Sequence, residues 1–256
     1  MECKDVEWTA FLFNAIGEDE EYIKYLKIIQ DGIKRNQKVG SDIVEFLNKW
    51  RSRINSDVTN TIDEWYKENH ETLNGLPPSL INAYLDDETI ADRIKYIYRS
   101  LLGENGNGIG DTTASKTLHV LRPDLFVPWD RPIKAWYDSQ LNNKDYKTMN
   151  PAEKYLAFLK KMQKEAKSLL QQNSNFLREL NSNVKKLYEG NLEQSKNNEP
   201  QLKGDPKKSM KIKIDSYTKM VDFMKNTGKT ITKYLDEYNW ITITNAVKIK
   251  PEWHPD

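Results

Sequence analysis

The chain has 256 residues, of which 30% are charged and 38% hydrophobic, and its net charge is +1. That length suffices for one large domain or two small ones sharing a core, and the near-neutral balance does not announce a nucleic-acid binder, although a local basic face is compatible with it. Cys3 is the single cysteine, which excludes an intrachain disulfide, a cysteine zinc set and a cysteine-ligated iron–sulfur cluster.

No apolar run approaches the roughly 18 residues that a membrane span requires, so no membrane partner is expected. The opening MECKDVEWTAFLF carries acids and no clean apolar run before a small-residue cleavage site, so no secretory leader is expected. A reducing, cytoplasmic location is the default expectation. His70, His119 and His254 are widely spaced and show no metal-ligand pattern.

The spacing predicts helices almost throughout. In SDIVEFLNKWRSRI, Ile43, Leu47, Trp50 and Ile54 form one apolar stripe, with Ser41 or Asp42 as the N-cap. Val58, Ile62 and Trp65 repeat the pattern. LPPSLINAYL is expected to begin a short helix near Pro78 or Ser79. Ile90, Ile94, Ile97 and Leu101 mark the next helix, capped by Asp86 or Asp87. GENGNGIG then breaks the chain more strongly than any other stretch. Further helices are expected in DRPIKAWYDSQL, NPAEKYLAFLKKMQKEAKSLLQQ, NSNFLRELNSNVKKLYEG, KIDSYTKMVDFMKN and KTITKYLDEYNW. Residues 190–213 are read as a polar linker with little to bury. Only ITITNAV reads as β-like, and it has no evident partner. The expected class is all-α with little or no sheet.

Residues 108–130, GIGDTTASKTLHVLRPDLFVPWD, carry the functional reading. A turn between helices needs positions with φ > 0, which glycine tolerates, and Gly106, Gly108 and Gly110 are placed to supply them. Without Cβ atoms, the amides that open the next helix stand free, at an end carrying partial positive charge. Such a site suits an anion such as a DNA phosphate. The carbonyls of a tight turn can also converge on a monovalent cation, Na+ or K+. Ala114, Leu118 and Leu121 mark the buried face of the following helix, which stops before Pro123. One helix plus one return segment brings Asp130 back to the mouth of the turn.

These residues resemble the helix-hairpin-helix (HhH-GPD, endonuclease III-like) DNA glycosylase superfamily. Its pattern is roughly Leu-Pro-Gly-Val-Gly-x-x-Thr-Ala, then about eighteen residues, counted from the second x, to an Asp that starts a helix. Gly108-Ile109-Gly110 stands at Gly-Val-Gly, Thr113-Ala114 at Thr-Ala, and Phe126-Val127-Pro128-Trp129-Asp130 at the apolar approach to the Asp. The resemblance covers about thirty residues by motif. Asn105-Gly106-Asn107 departs from the usual Leu-Pro, and Thr112 stands where bifunctional members carry a Schiff-base lysine. A lyase step is therefore not expected. Lys116, one turn further on the same face, is a secondary candidate.

The resemblance implies a two-lobed helical fold. Residues 41–149 would form the lobe carrying the hairpin (103–121) and Asp130, and residues 1–40 and 150–256 would pack together as the other. It also implies hydrolysis of the N-glycosidic bond of a damaged or mismatched base flipped out of double-stranded DNA. Asp130 would stabilise the cationic sugar and activate water. The amides of Gly108, Gly110 and Thr112 would hold a phosphate, and Trp129, Trp136 and Tyr137 would line a pocket or stack on a base. Trp50 and Tyr98 are weaker candidates of the same kind. The alternative is a non-catalytic protein that keeps the fold to bind DNA or a partner.

Several of these residues also have structural readings. Asp130 suits a helix N-cap with Pro132 in the first turn, and capping and catalysis are compatible. Trp129 and Trp136 are read as core anchors before base-stacking groups, because large aromatics usually anchor packing. His119 is expected to be a satisfied structural histidine. Lys203, Lys207, Lys208, Lys211 and Lys213 are read as a solvated run, with a DNA backbone as the other reading. Asp236 and Glu237 are read as surface acids, with a second carboxylate near the site left open.

Overall fold

The periodic stripes become helices in the computed structural model, which describes residues 1–15, 19–50, 52–102, 109–141, 144–223 and 229–244. Twelve α-helices lie among them. They are α1 (Cys3–Ala15), α2 (Asp19–Lys34), α3 (Gly40–Lys49), α4 (Val58–Asn74), α5 (Glu88–Leu102) and α6 (Asp111–Leu121). Then follow α7 (Arg131–Gln140), α8 (Lys144–Thr148), α9 (Pro151–Gln172), α10 (Phe176–Asn198), α11 (Asp205–Phe223) and α12 (Ile231–Asn239). A 3-10 turn (Glu199–Gln201) joins α10 to α11, and a π-helical turn (Trp240–Thr244) follows α12. The described residues contain no strand, so the all-α expectation holds for them. None of their helices is long and apolar enough to cross a membrane.

One core cluster runs from Val6 to Leu235. Helix α1 packs on α10, α11 and α12, whereas α2 packs on α3 and α6. The first forty residues thus divide between the terminal helices and the middle of the chain. Helix α9 crosses to α5, where Tyr98 and Tyr155 stack at 4.2 Å and Trp129 meets Tyr155 and Phe158 at 5.2 Å. Each such fully buried ring contributes on the order of 1.5–3 kcal/mol by leaving water. At Gly40 α3 lies tight against α4: a Cβ there would stand 2.4 Å from the Thr59 carbonyl.

Local chemistry explains several helix starts. Asn150 and Glu153 form a reciprocal capping box with Pro151 inside the first turn of α9. Asp87 accepts from the Ile90 amide at 3.1 Å and starts α5. The start of α3 departs from expectation. Asp63 of α4 accepts from the Val39 and Gly40 amides at 3.1 and 2.8 Å, which leaves Ser41 and Asp42 without a capping role. A tertiary carboxylate has replaced the local cap.

Three further expectations are corrected. Residues 190–213 are not a linker, because α10 continues to Asn198 and α11 begins at Asp205. Their Gln, Glu and Lys residues are good helix formers. The chain turns only at Pro200 and at Gly204, whose φ of +65° lies in the left-handed region that glycine permits. Tyr217 then packs against Tyr188 and Phe11, and Met220 is buried with the core. LPPSLINAYL forms turns rather than a helix, held by Arg122, which donates to the carbonyls of Leu73, Leu76 and Pro77. Ile241–Thr244 of the β-like ITITNAV lie in the π-helical turn, and the rest of that stretch falls outside the described residues.

Candidate functional site

The segment from α6 to α7 is built as a return path. The Ser115 hydroxyl accepts from the Trp129 amide at 3.1 Å and reaches the Trp129 carbonyl at 3.0 Å. His119 lies 2.7 Å through Nδ1 from the Phe126 carbonyl. Since a carbonyl only accepts, Nδ1 carries the proton and neutral Nε2 accepts from the Tyr22 hydroxyl at 2.9 Å. Burial pulls the His119 pKa down to about 3, partly offset by the Phe126 carbonyl, so the ring stays neutral. It is the satisfied structural histidine expected from sequence. Tyr155 donates to the Val127 carbonyl at 2.9 Å, and Trp129 donates through Nε1 to the Tyr98 hydroxyl at 3.0 Å. These bonds fix the peptide that delivers Asp130.

Asp130 is the N-cap of α7, with Oδ1 accepting from the Ile133 amide at 3.1 Å. Among the described residues its second oxygen accepts no hydrogen bond, and the side chain is partly exposed. It borders two adjoining clefts. The smaller, about 320 Å³, lies at the amide end of α6 and is bordered by Gly110, Asp111, Thr112, Arg131 and Lys134. The larger, about 440 Å³, is bordered by Thr112, Lys116, Arg131 and Asp236, with Phe13, Trp50 and Trp240 as aromatic walls. That volume is in the range of small-ligand pockets.

Thr112 and Lys116 share the cleft with Asp130, as their one-turn spacing implies. The Lys116 ammonium donates to the Trp50 carbonyl at 3.0 Å and sits 5.2 Å over the Trp50 ring. Gly110 caps α6 in extended backbone at φ −89°, not in the left-handed region, and a Cβ added there would meet nothing within 4 Å. Its value is the open space over the helix amides, not a conformation. Gly106 and Gly108, and with them any cation site on the hairpin carbonyls, lie outside the described residues. No group of three or more His, Cys, Asp or Glu among the described residues is placed to hold a metal. The amide end of α6 also carries a charge of its own. Asp111 pairs with Lys134 at 2.8 Å and accepts from the Tyr98 hydroxyl at 3.2 Å.

The aromatic candidates are redistributed. Trp129 is fully buried in the core with its N–H satisfied, so it anchors packing and offers no stacking face. Tyr137 is buried with its hydroxyl on Asn239 at 3.1 Å, and Trp136 packs edge-on against it. Neither borders the clefts. Of the two weaker candidates, Trp50 borders the larger cleft. Phe13, Ser52 and Trp240 were not singled out for the site, since only tertiary packing brings them there; Arg131, next to Asp130 in sequence, was missed, and the sequence leaves Asp236 open as a second carboxylate.

Asp236 and Glu237 are buried, against the expectation of surface acids. Lys233 pairs with Asp236 at 3.1 Å and with Glu237 at 3.4 Å, and Lys229 pairs with Glu237 at 2.9 Å. Two ammonium groups thus meet two carboxylates. Three rings enclose Lys233: Phe13 at 4.1 Å, Trp50 at 4.8 Å and Tyr22 at 5.0 Å. Phe13 and Trp50 also face the cleft, so a cation lies directly behind its aromatic wall. Thr230 caps α12, and the Thr230 and Thr232 hydroxyls donate to the Pro123 carbonyl, tying α12 to the exit of α6. Trp50 Nε1 and Ser52 Oγ are buried in the cleft wall with no hydrogen-bond partner among the described residues. Such orphaned groups are uncommon and point to a ligand or water.

Comparison with protein-family models, with characterised proteins and with solved structures returns no match to this chain.

Proposed function

We propose that the chain removes a damaged or mismatched base from double-stranded DNA by hydrolysing its N-glycosidic bond, on a two-lobed fold of the HhH-GPD type. The observation that carries this reading is the placement of Asp130. Its carboxylate is partly exposed at the junction of an aromatic-walled cleft and the amide end of α6. A flipped base would occupy the larger cleft between Phe13, Trp50 and Trp240, with the orphaned Trp50 and Ser52 groups on its polar edges. The sugar would then lie at Asp130, whose charge stabilises the oxocarbenium ion and whose free oxygen takes a proton from water. Arg131 borders both clefts and, with the amides of Gly110 and Thr112, would hold the neighbouring phosphate. The Lys116 ammonium is drawn back onto the Trp50 carbonyl and ring, which suits base removal without strand cleavage. Asp111 at the amide end of α6 favours the alternative, a protein that holds DNA or a partner without cutting.

The test is a panel of duplexes carrying oxidised, alkylated, deaminated and mismatched bases, with alkali added to reveal abasic sites. Asp130→Asn should lower the yield on the processed duplex by about 100-fold or more. Equal activity of the variant, or no product on any duplex, rejects the proposal.

A further inference from the structure

Asp130 is not the only carboxyl group on the cleft. Asp236, from the last helix, borders the same cavity and keeps 11% of its side-chain surface exposed. One of its oxygens, Oδ2, is held by Lys233 at 3.1 Å. Lys233 is itself fixed by Glu237 and by the rings of Phe13, Tyr22 and Trp50. One carboxyl oxygen is therefore held by a fixed cation, on a residue that borders the cavity.

We propose that Asp236 is the proton donor to the departing base, and that the cleft is accordingly built for an uncharged base, which must gain a proton as it leaves. This rests on the glycosylase reading above. In the step, the C1′–N bond breaks and its electron pair passes to the base nitrogen, which takes the Asp236 proton. The oxygen of one water bonds to C1′, and its proton passes to Asp130. Exchange with solvent then returns a proton to Asp236 and removes one from Asp130. A base already cationic through alkylation leaves as a neutral molecule and needs no donor.

The surroundings of Asp236 fit a group that holds and releases a proton. Burial raises its pKa, and the charge of Asp130 across the cleft raises it further. Lys233 on the same helix and Lys116 on α6 oppose these effects without reversing them. Glu237 and Lys229 face it through Lys233, and Arg131 of α7 borders the same cavity.

Two measurements test this. Carboxyl 13C titration of the full chain should show Asp236 losing its proton above the usual Asp range of about 3.9, and shifting down in Asp130→Asn. An Asp236 that titrates at or below that range, or ignores Asp130→Asn, overturns the proposal whatever the enzyme does. In single-turnover excision, Asp236→Asn should slow removal of an uncharged base by about 100-fold. The same variant should slow removal of N7-alkylated guanine by less than about threefold. Asn keeps an oxygen that accepts from Lys233, and Asp236→Glu should recover part of the rate. Equal slowing of both bases marks a structural role and overturns the proposal. Absence of excision from every duplex by the wild-type chain removes the glycosylase reading and the donor role together. An ordinary Asp236 titration removes the donor role alone.

Discussion

Helices α11 and α12 are both rich in lysine and acid, and they sit in opposite environments. In α11, Lys208, Lys211 and Lys213 lie in solvent, and the Lys208–Asp205 pair is almost fully exposed at 3.9 Å. In α12, Lys233 and Glu237 are completely buried, and Lys229 just before the helix joins them. The difference lies in what each helix packs against. Helix α11 touches the core through Tyr217 and Met220 on one narrow stripe. Helix α12 is wedged between α1 and α9 and is tied to Pro123, so its charged face has nowhere to turn but inward. Buried charges survive there because each ammonium has a carboxylate and Lys233 also has three rings. Charge count alone thus says little about where a helix lies.

The contrast can be broken most strongly at Glu237. Glu237→Ala removes the carboxylate that pairs with both Lys229 and Lys233 and should cost about 3–5 kcal/mol in urea unfolding, because buried positive charge loses its counter-charge. A cost below about 1 kcal/mol would mean that the cluster is hydrated and loosely held.

Acid sharpens the contrast next. The His119 pKa is depressed in the fold to about 3, so its contribution is complete above the unfolded value near 6.5 and is lost as pH falls from there toward 3. Stability at pH 5 should lie about 2 kcal/mol below that at pH 7 from this group alone. Asp236 acts in the opposite direction, since a raised carboxyl pKa loses stability as pH rises. Asp236→Asn should therefore show the steeper acid loss in the same unfolding series. At the small end, Lys208→Ala and Lys211→Ala in α11 should each change stability by less than about 0.5 kcal/mol. A larger loss in either would show that α11 is not a solvated surface.

The return path around Asp130 was legible in sequence because its logic is local. One helical turn relates Thr112 to Lys116, a proline stops α6, and an Asp before Arg-Pro caps α7. The opposite wall was not legible. Phe13, Trp50, Asp236 and Trp240 come from three distant stretches that only packing brings together. Trp129 reads as a core anchor first and Tyr137 as a pocket residue, and neighbours distant in sequence place both in the core. Trp129 meets Tyr98 and Phe158, and Tyr137 meets Asn239. The 190–213 stretch misled because sparse apolar residues read as a linker, although two well-placed anchors suffice to dock a helix of good formers. The π-helical ITIT misled through its β-branched residues, which favour strands only where a partner strand exists.

The proposed hydrolysis requires the Asp130 carboxylate to meet a cationic sugar. The most direct measurement compares two duplexes with an abasic analogue, one a positively charged azasugar ring and the other a neutral tetrahydrofuran. The wild-type chain should bind the charged analogue about 100-fold more tightly, and Asp130→Asn should erase most of that preference. Equal binding of the two duplexes, or a preference that survives Asp130→Asn, would contradict the account.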